Sequence, residues 1–276
     1  GVGQMKLYNK RIVITLLIIA CLYMIAIFAP HIAPYKPDDM DFNNLYGRPS
    51  PEHLMGTDSM GRDLLSLVIY GSRISLTVGL VSMLISVAIG TLLGALAGYY
   101  GGLIDNIIMG LTDVALCFPT FFLILTIVAF FGNGLYKIIV IIGLTSWMGI
   151  TRLVRGQFLS LKEREFVESV QALGANDFRI ILRHLLPNSM ASLTVAATLQ
   201  VSTAILTEAA LSFLGLGVKP GTVSWGSLLY SAQQIKVMTK TPWLAIFPGL
   251  MIFITVLSFN LLGDGLRDVL DPKSKE

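Results

Sequence analysis

Residues 74–97 read ISLTVGLVSMLISVAIGTLLGALA, a run of 24 residues without a single charge. A helix needs roughly 20 apolar residues to cross about 30 Å of hydrocarbon, so the run is read as a membrane span. Gly90, Gly94 and Gly98 recur along its end at intervals of four. That spacing gives one helix face without side chains, where another backbone can approach closely. A contact that changes during a working cycle would suit the same face, and spacing alone does not separate the two.

Comparable runs lie on both sides of this one. The 276 residues are 54% hydrophobic and only 13% charged, too little polar surface for an ordinary water-soluble domain. The sequence therefore predicts an all-α polytopic membrane protein with six spans. The first occupies 12–29 and is followed by Pro30 and Pro34 instead of a small-residue cleavage site, so it is read as retained. The second is 74–97 and the third 107–131, with Gly132, Asn133 and Gly134 as the turn to the fourth. The fourth begins near Ile138 but has 14 uncharged residues before Arg152, so it is expected to start inside the turn and to continue past the membrane surface towards Arg155. The fifth starts near Asn188 and passes Leu206. The sixth is 243–262, with Trp243 as an interfacial anchor, and a charged tail follows from Asp264.

With the amino terminus inside, twelve Lys and Arg fall on inner segments and eight on outer ones, which favours both termini on the cytoplasmic side. Three regions result: 1–72, the first span and an extracytoplasmic loop; 73–264, a five-span core with a cytoplasmic loop at 161–187; and 265–276, the tail. The outer segment 30–72 is too polar and turn-rich to span. Its Phe42, Leu45, Tyr46, Leu54 and Met55 are enough apolar groups for a small packed surface, so partial ordering is expected.

Three residues stand out inside the spans. Pro119 interrupts the third span's hydrogen-bond ladder, either bending the helix around a neighbour or exposing polar backbone to a passage. Asp113, six residues earlier, is expected in a paired or wet interior and not against lipid. Glu208 lies 20 residues beyond Asn188, about 30 Å along a helix, which places it near the outer boundary. There it either orients the following loop or takes part in a gate. Cys21 and Cys117, both within apolar runs, are read as buried thiols, with no pattern for a disulfide framework or a zinc site.

Between spans four and five stands LKEREFVESVQALGANDFRIILRHLLP, residues 161–187. Phe166, Val170 and Leu173 recur at helical spacing with Val167 beside them, among charged residues that include Glu168. Gly174 breaks the pattern, Asn176 or Asp177 can cap the next turn, and Pro187 lacks the donor that a regular ladder requires. Two short helices forming an elbow are predicted. An interfacial helix resting on lipid and a docking element for a cytosolic partner both satisfy this periodicity.

The order Glu168, Ser169, Val170, Gly174, His184, Leu185, Leu186, Pro187 resembles the cytoplasmic EAA loop of permeases in binding-protein-dependent ABC importers. The family's two alanines are replaced by Ser169 and Val170, and its usual isoleucine by His184. The stretches 53–79, 206–229 and 263–272, together with Asp113, Phe118 and Pro119, are similar to the C-type permeases of dipeptide and oligopeptide importers. This resemblance implies a type I importer permease fold and a chain that forms half of a translocation pathway. It further implies a homologous second permease, two ATPase subunits that bind ATP and Mg, and an extracytoplasmic solute-binding protein. Phe166, Glu168, Val170, Leu173, Gly174, Leu186 and Pro187 would then form the coupling element, with Asp113, Pro119 and Glu208 as pathway or gate candidates. Peptides are the first cargo implied; glutathione and nickel or its chelates are carried by related systems.

Other classes fit less well. No Gly-rich run ends in the Gly-Lys-Ser/Thr arrangement of a P-loop, so no ATP hydrolysis and no cofactor are expected in this chain. His31 and His53 fall outside and His184 inside, which prevents one three-histidine metal centre. The positive charges form no stripe interleaved with aromatics, as nucleic-acid binding would require. A standalone ion-coupled transporter would have to use Asp113 and Glu208 as an ion path and treat the elbow as simple structure.

Overall fold

A computed structural model describes residues 2–219 and 221–270, and the side chains of all of these except 2–10, 235 and 236. Among the described residues the regular structure is helical, with one isolated bridge between Thr57 and Asp63. The chain opens with α1 (Val2–Ile27) and the short α2 (Ala29–Ile32), and then α3 (Leu64–Tyr100) runs for 37 residues. Next come α4 (Gly102–Leu116) and α5 (Thr120–Phe131), followed by α6 (Leu135–Leu144) and α7 (Met148–Lys162). The elbow contains α8 (Glu165–Ala172), α9 (Asp177–Ile180) and a π-helical turn (Ile181–Leu185) that leads into α10 (Leu186–Phe213). Two short helices, α11 (Trp225–Ala232) and α12 (Ile235–Lys240), precede α13 (Trp243–Leu270).

Four segments are long and apolar enough to cross a membrane: 64–100, 135–162, 177–213 and 243–270. The pair α4 and α5 makes a fifth if counted as one span, although it is bent by 81°. The expected first span corresponds to a shorter apolar helix, Arg11–Ile27. The second expected span begins earlier than the apolar run suggests, because Asp63 caps α3 by accepting from the Ser66 amide and so recruits 64–73 into the helix. The charged tail is likewise helical as far as Leu270, and its remainder, 271–276, lies outside the described residues.

The long α3 is the centre of the bundle, packing on α7, α6, α10 and α1. Its glycine face is a packing seam. A Cβ placed at Gly90 would sit 2.5 Å from Ile150 Cβ, one at Gly94 2.6 Å from the Thr151 carbonyl oxygen, and one at Gly98 2.6 Å from Phe158 Cβ. Any side chain there would therefore separate α3 from α7.

Two expectations need correction. Cys21 and Cys117 are exposed at the surface of the bundle, not buried within it. In lipid an outward apolar side chain is already out of water, so burial inside the protein is not required of it. The indole Nε1 of Trp243, at the start of α13, is enclosed, and Gly56 leaves just enough room beside it. The outer segment, finally, is ordered by polar groups more than by its apolar ones. Phe42 and Leu54 are exposed, whereas His53, Thr57, Asp58 and Asp63 are buried. His53 Nδ1 donates to Asp63 Oδ1 at 3.0 Å, Arg62 pairs with Asp58 at 2.7 Å, and the Thr57 hydroxyl donates to the Asn44 carbonyl. Four or five apolar side chains scattered among turns cannot enclose a core, but satisfied polar groups tied to the start of α3 can hold the segment down.

Candidate functional site

Two features of the bundle are neither core nor simple lipid-facing surface: the elbow and a polar groove. The elbow bends at Gly174, where φ is +78°. The Ala175 amide donates to the Val170 carbonyl at 3.3 Å and the Gly174 amide to that of Gln171 at 2.9 Å, which together close α8 with a Schellman motif. Asn176 then caps α9 by accepting from the Arg179 amide at 2.9 Å. Pro187 stands at the start of α10, directly after the π-helical turn, where the altered ladder accommodates its missing donor.

Packing divides the elbow residues into two sets. Val167 is fully buried, and Phe166, Val170 and Leu186 pack partly against the same cluster of α3, α7 and α10. Leu173 and Phe178, by contrast, are 86% and 71% exposed, an apolar pair flanking the turn. Glu168 is exposed in the first turn of α8, facing away from the packed side. The elbow is tied to the bundle by polar contacts that the sequence pattern did not reveal. Tyr99 donates its hydroxyl to Asp177 at 2.7 Å, and Lys162 Nζ donates to the Tyr99 carbonyl at 2.8 Å.

The groove lies where two helical spans are interrupted. Pro119 separates α4 from α5, and 145–147 separate α6 from α7. Against these breaks α10 sets Gln200, Thr203 and Thr207, spaced at three and four residues and so on one face. With Thr120, Thr145 and Ser146 they line a space of about 380 Å³, whose remaining lining, Leu116, Phe121, Ile124, Met148 and Gly149, is apolar. None of the groove's lining residues is charged. The sequence signal was weak: Gln200, Thr203 and Thr207 recur at helical spacing, but Thr194, Thr198 and Ser202 stand in the same run. Asp113 is close to this break but is occupied by a partner, Arg152, while Asp105 and Arg155 form a second pair between α4 and α7. Both carboxylates are paired with a cation, but only Asp105 is largely enclosed; Asp113 is 62% exposed, so it is paired at the surface of the bundle and not in the interior expected for it.

Glu208 is far more enclosed than its depth along the helix suggested, with no exposed surface. Its Oε1 accepts from the Ser212 and Ser224 hydroxyls, both at 2.7 Å. Ser224 caps α11, whose Trp225 is buried and donates its indole nitrogen to the Val68 carbonyl at 3.1 Å. The segment after α10 thus folds back into the bundle, covering Glu208.

The fold is a helical membrane bundle with an uncharged groove at two broken spans and an elbow carrying an exposed apolar pair. Residues 90–276 match the binding-protein-dependent transport system inner membrane component family, and residues 7–49 match the N-terminal transmembrane domain of oligopeptide transport permease C. The chain is 47% identical over 260 residues to the glutathione transport system permease protein GsiD of Escherichia coli O6:K15:H31, covering 94% of this chain and 85% of that protein. The protein of that description from Shigella boydii serotype 4 matches to the same extent. Among solved structures, the inward-facing MetNI methionine ABC transporter superposes with a TM-score of 0.60 over 75% of this chain and 98% of the other, at 20% identity, a likeness of fold. The chain belongs to the binding-protein-dependent transport system inner membrane component family, and it is a permease subunit of an ATP-binding-cassette importer.

Proposed function

We propose that this chain forms half of a pathway for short peptides, with glutathione, itself a tripeptide, as the first cargo to test. The observation that carries this reading is the uncharged hydrogen-bonding groove of Gln200, Thr203, Thr207, Thr120 and Ser146. A peptide backbone needs its polar groups satisfied in passage, and amide and hydroxyl side chains do so without fixing a charge. The relatives named as glutathione transport permeases and the match to oligopeptide permease C support the same class of solute.

A homologous second permease would close the pathway, an extracytoplasmic binding protein would deliver cargo, and two ATPase subunits would hold ATP and Mg, so this chain needs no cofactor and catalyses nothing itself. Both termini are assigned to the cytoplasm. The elbow then meets an ATPase groove with Leu173, Phe178 and the outward Glu168, while Phe166, Val170 and Leu186 hold it to the permease. Gly174 and Pro187 set its two changes of direction. Pro119 opens the groove, Asp113 braces α4 beside it, and Glu208 anchors α11 on the outer side.

The test is uptake by the complete complex in proteoliposomes, comparing labelled glutathione, a dipeptide, a pentapeptide and nickel. ATP-dependent accumulation of glutathione or the peptides is expected. Accumulation of nickel alone would overturn the peptide reading and leave the permease role intact.

A further inference from the structure

At one end of the bundle, where α1 meets the end of α13, lies a second groove of about 620 Å³. Its α1 side presents Arg11 and Ile14, and its α13 side presents Leu261, Asp264, Arg267 and Asp268. Each set recurs at three or four residues, so one stripe of each helix forms each wall. The floor is closed because the helices touch: a Cβ on Gly265 would lie 2.7 Å from Ile12 Cγ1.

The level of this groove is fixed by the sequence. Arg11 is the last charge before the first apolar run, and Asp264 and Arg267 follow the last one, so the charged rim sits at the membrane boundary. Among the described residues neither Arg11 nor Arg267 forms an ion pair. Ile14 and Leu261, one turn further into the apolar runs, are 56% and 46% exposed and supply an apolar part of the same lining that holds Arg11 and Arg267.

This combination selects a ligand class. Two guanidiniums attract a phosphate through charge-assisted hydrogen bonds. A soluble phosphate would have no use for the apolar lining, whereas an acyl chain would lie along it. The Asp264 carboxylate on the same rim disfavours a headgroup that is purely anionic and favours one that also bears an ammonium. We infer that the groove between α1 and α13 holds the headgroup of an amine-bearing zwitterionic phospholipid such as phosphatidylethanolamine. Its phosphate lies between Arg11 and Arg267, its ammonium at Asp264, and one chain against Ile14 and Leu261. The lipid would tie the first helix to the last, and it gives the stretch 263–270, GDGLRDVL, a task that neither the polar groove nor the elbow requires.

The inference is tested on the delipidated, purified importer complex, titrated with single lipids and read by native mass spectrometry. Phosphatidylethanolamine should be retained roughly tenfold better than phosphatidylcholine, whose methylated ammonium has no N–H to donate, and better than phosphatidylglycerol, which has no ammonium. Arg11→Gln with Arg267→Gln should lower phosphatidylethanolamine retention by roughly tenfold, the weight of one or two lost charge-assisted bonds. Asp264→Asn should abolish the preference for ethanolamine over glycerol without weakening phosphatidylglycerol binding. That single variant decides the question even where the double variant fails to assemble. Equal retention of all three lipids by the unmodified complex, or an unchanged preference in Asp264→Asn, would overturn the assignment.

Discussion

Tyr99, at the end of α3, donates its hydroxyl to Asp177 Oδ1 at 2.7 Å across 78 residues of chain. The carbonyl of the same tyrosine receives Lys162 Nζ, the last residue of α7. One residue of the central helix therefore holds the entry of the elbow and the first residue of its second helix. A hydrogen bond to a charged group contributes about 1.5–3 kcal/mol, and less where water reaches it. Tyr99→Phe keeps the ring but loses this bond, so the complex should assemble while amide exchange in 165–180 speeds up and uptake per ATP falls. Unchanged exchange in that segment would show that the tie is not what fixes the elbow.

Gly174 should tolerate little else. Its φ of +78° lies in the left-handed region, which an L side chain enters at about 1–2 kcal/mol, more for a β-branched one. No atom lies within 4 Å of the position a Cβ would take, so the penalty is conformational and not steric. Gly174→Asn should consequently be milder than Gly174→Val. Paired uptake and ATPase assays on assembled complexes should show the order glycine, asparagine, valine in uptake per ATP; equal coupling in all three would remove the turn from the transmission path.

The seam between α3 and α7 gives a stability prediction with an internal control. A Cβ at Gly94 would press on backbone, 2.6 Å from the Thr151 carbonyl oxygen and 3.1 Å from the Arg155 amide nitrogen, neither of which can rotate away. Gly94→Ala should destabilise by about 1–3 kcal/mol, the usual range for overpacking. Gly110, inside α4 with nothing within 4 Å, should accept alanine and gain about 0.5–1 kcal/mol in helix propensity. Thermal unfolding of the two variants in one detergent should move in opposite directions.

What the sequence revealed and what it hid follow the range of the interactions. The glycines of α3, the break at Pro119 and the bend at Gly174 obey local rules of backbone geometry, so residue type and spacing were enough to read them. Glu208 was not legible in that way, because counting along α10 gives height but not enclosure. Its burial depends on Ser224 and Trp225 returning from beyond the helix end. The outer segment misled in a similar way: its apolar residues were visible, but the buried contacts of His53, Asp58 and Asp63 join residues up to ten positions apart through turns. Cys21 and Cys117 were assigned by a rule for water-soluble cores, which lipid inverts.

Glu208→Ala removes the shared acceptor of two buried hydroxyls, Ser212 and Ser224. Unsatisfied buried donors cost about 1–3 kcal/mol, partly recovered when Ser212 turns to its own helix backbone. Glu208→Gln keeps an amide oxygen at the same place and should be the milder change. The expected readout is faster amide exchange in α11 for alanine than for glutamine, with uptake following the same order. If α11 is equally protected in both, Glu208 does not anchor that helix.

The polar stripe of α10 gives the most direct test of the pathway. Gln200, Thr203 and Thr207 face the interruptions of two other spans, whereas a helix surface turned to lipid needs no such groups. Thr203→Val and Thr207→Val keep the branched shape and remove only a hydroxyl. The Thr207 hydroxyl donates to its own helix at the Thr203 carbonyl, 2.8 Å away, so its oxygen still has lone pairs to offer a passing amide. Neither change opens a cavity, so assembly and basal ATP hydrolysis should stay within about twofold of the original. If these groups satisfy cargo in transit, each lost hydrogen bond of about 1 kcal/mol should slow uptake roughly fivefold, and the triple change with Gln200→Leu should do more. A stripe that merely packs against the second permease would respond in the opposite sense: valine and leucine would strengthen or preserve assembly and leave uptake untouched. Measuring assembly and cargo uptake on the same preparations separates the two, because only a pathway role predicts intact complexes that transport poorly.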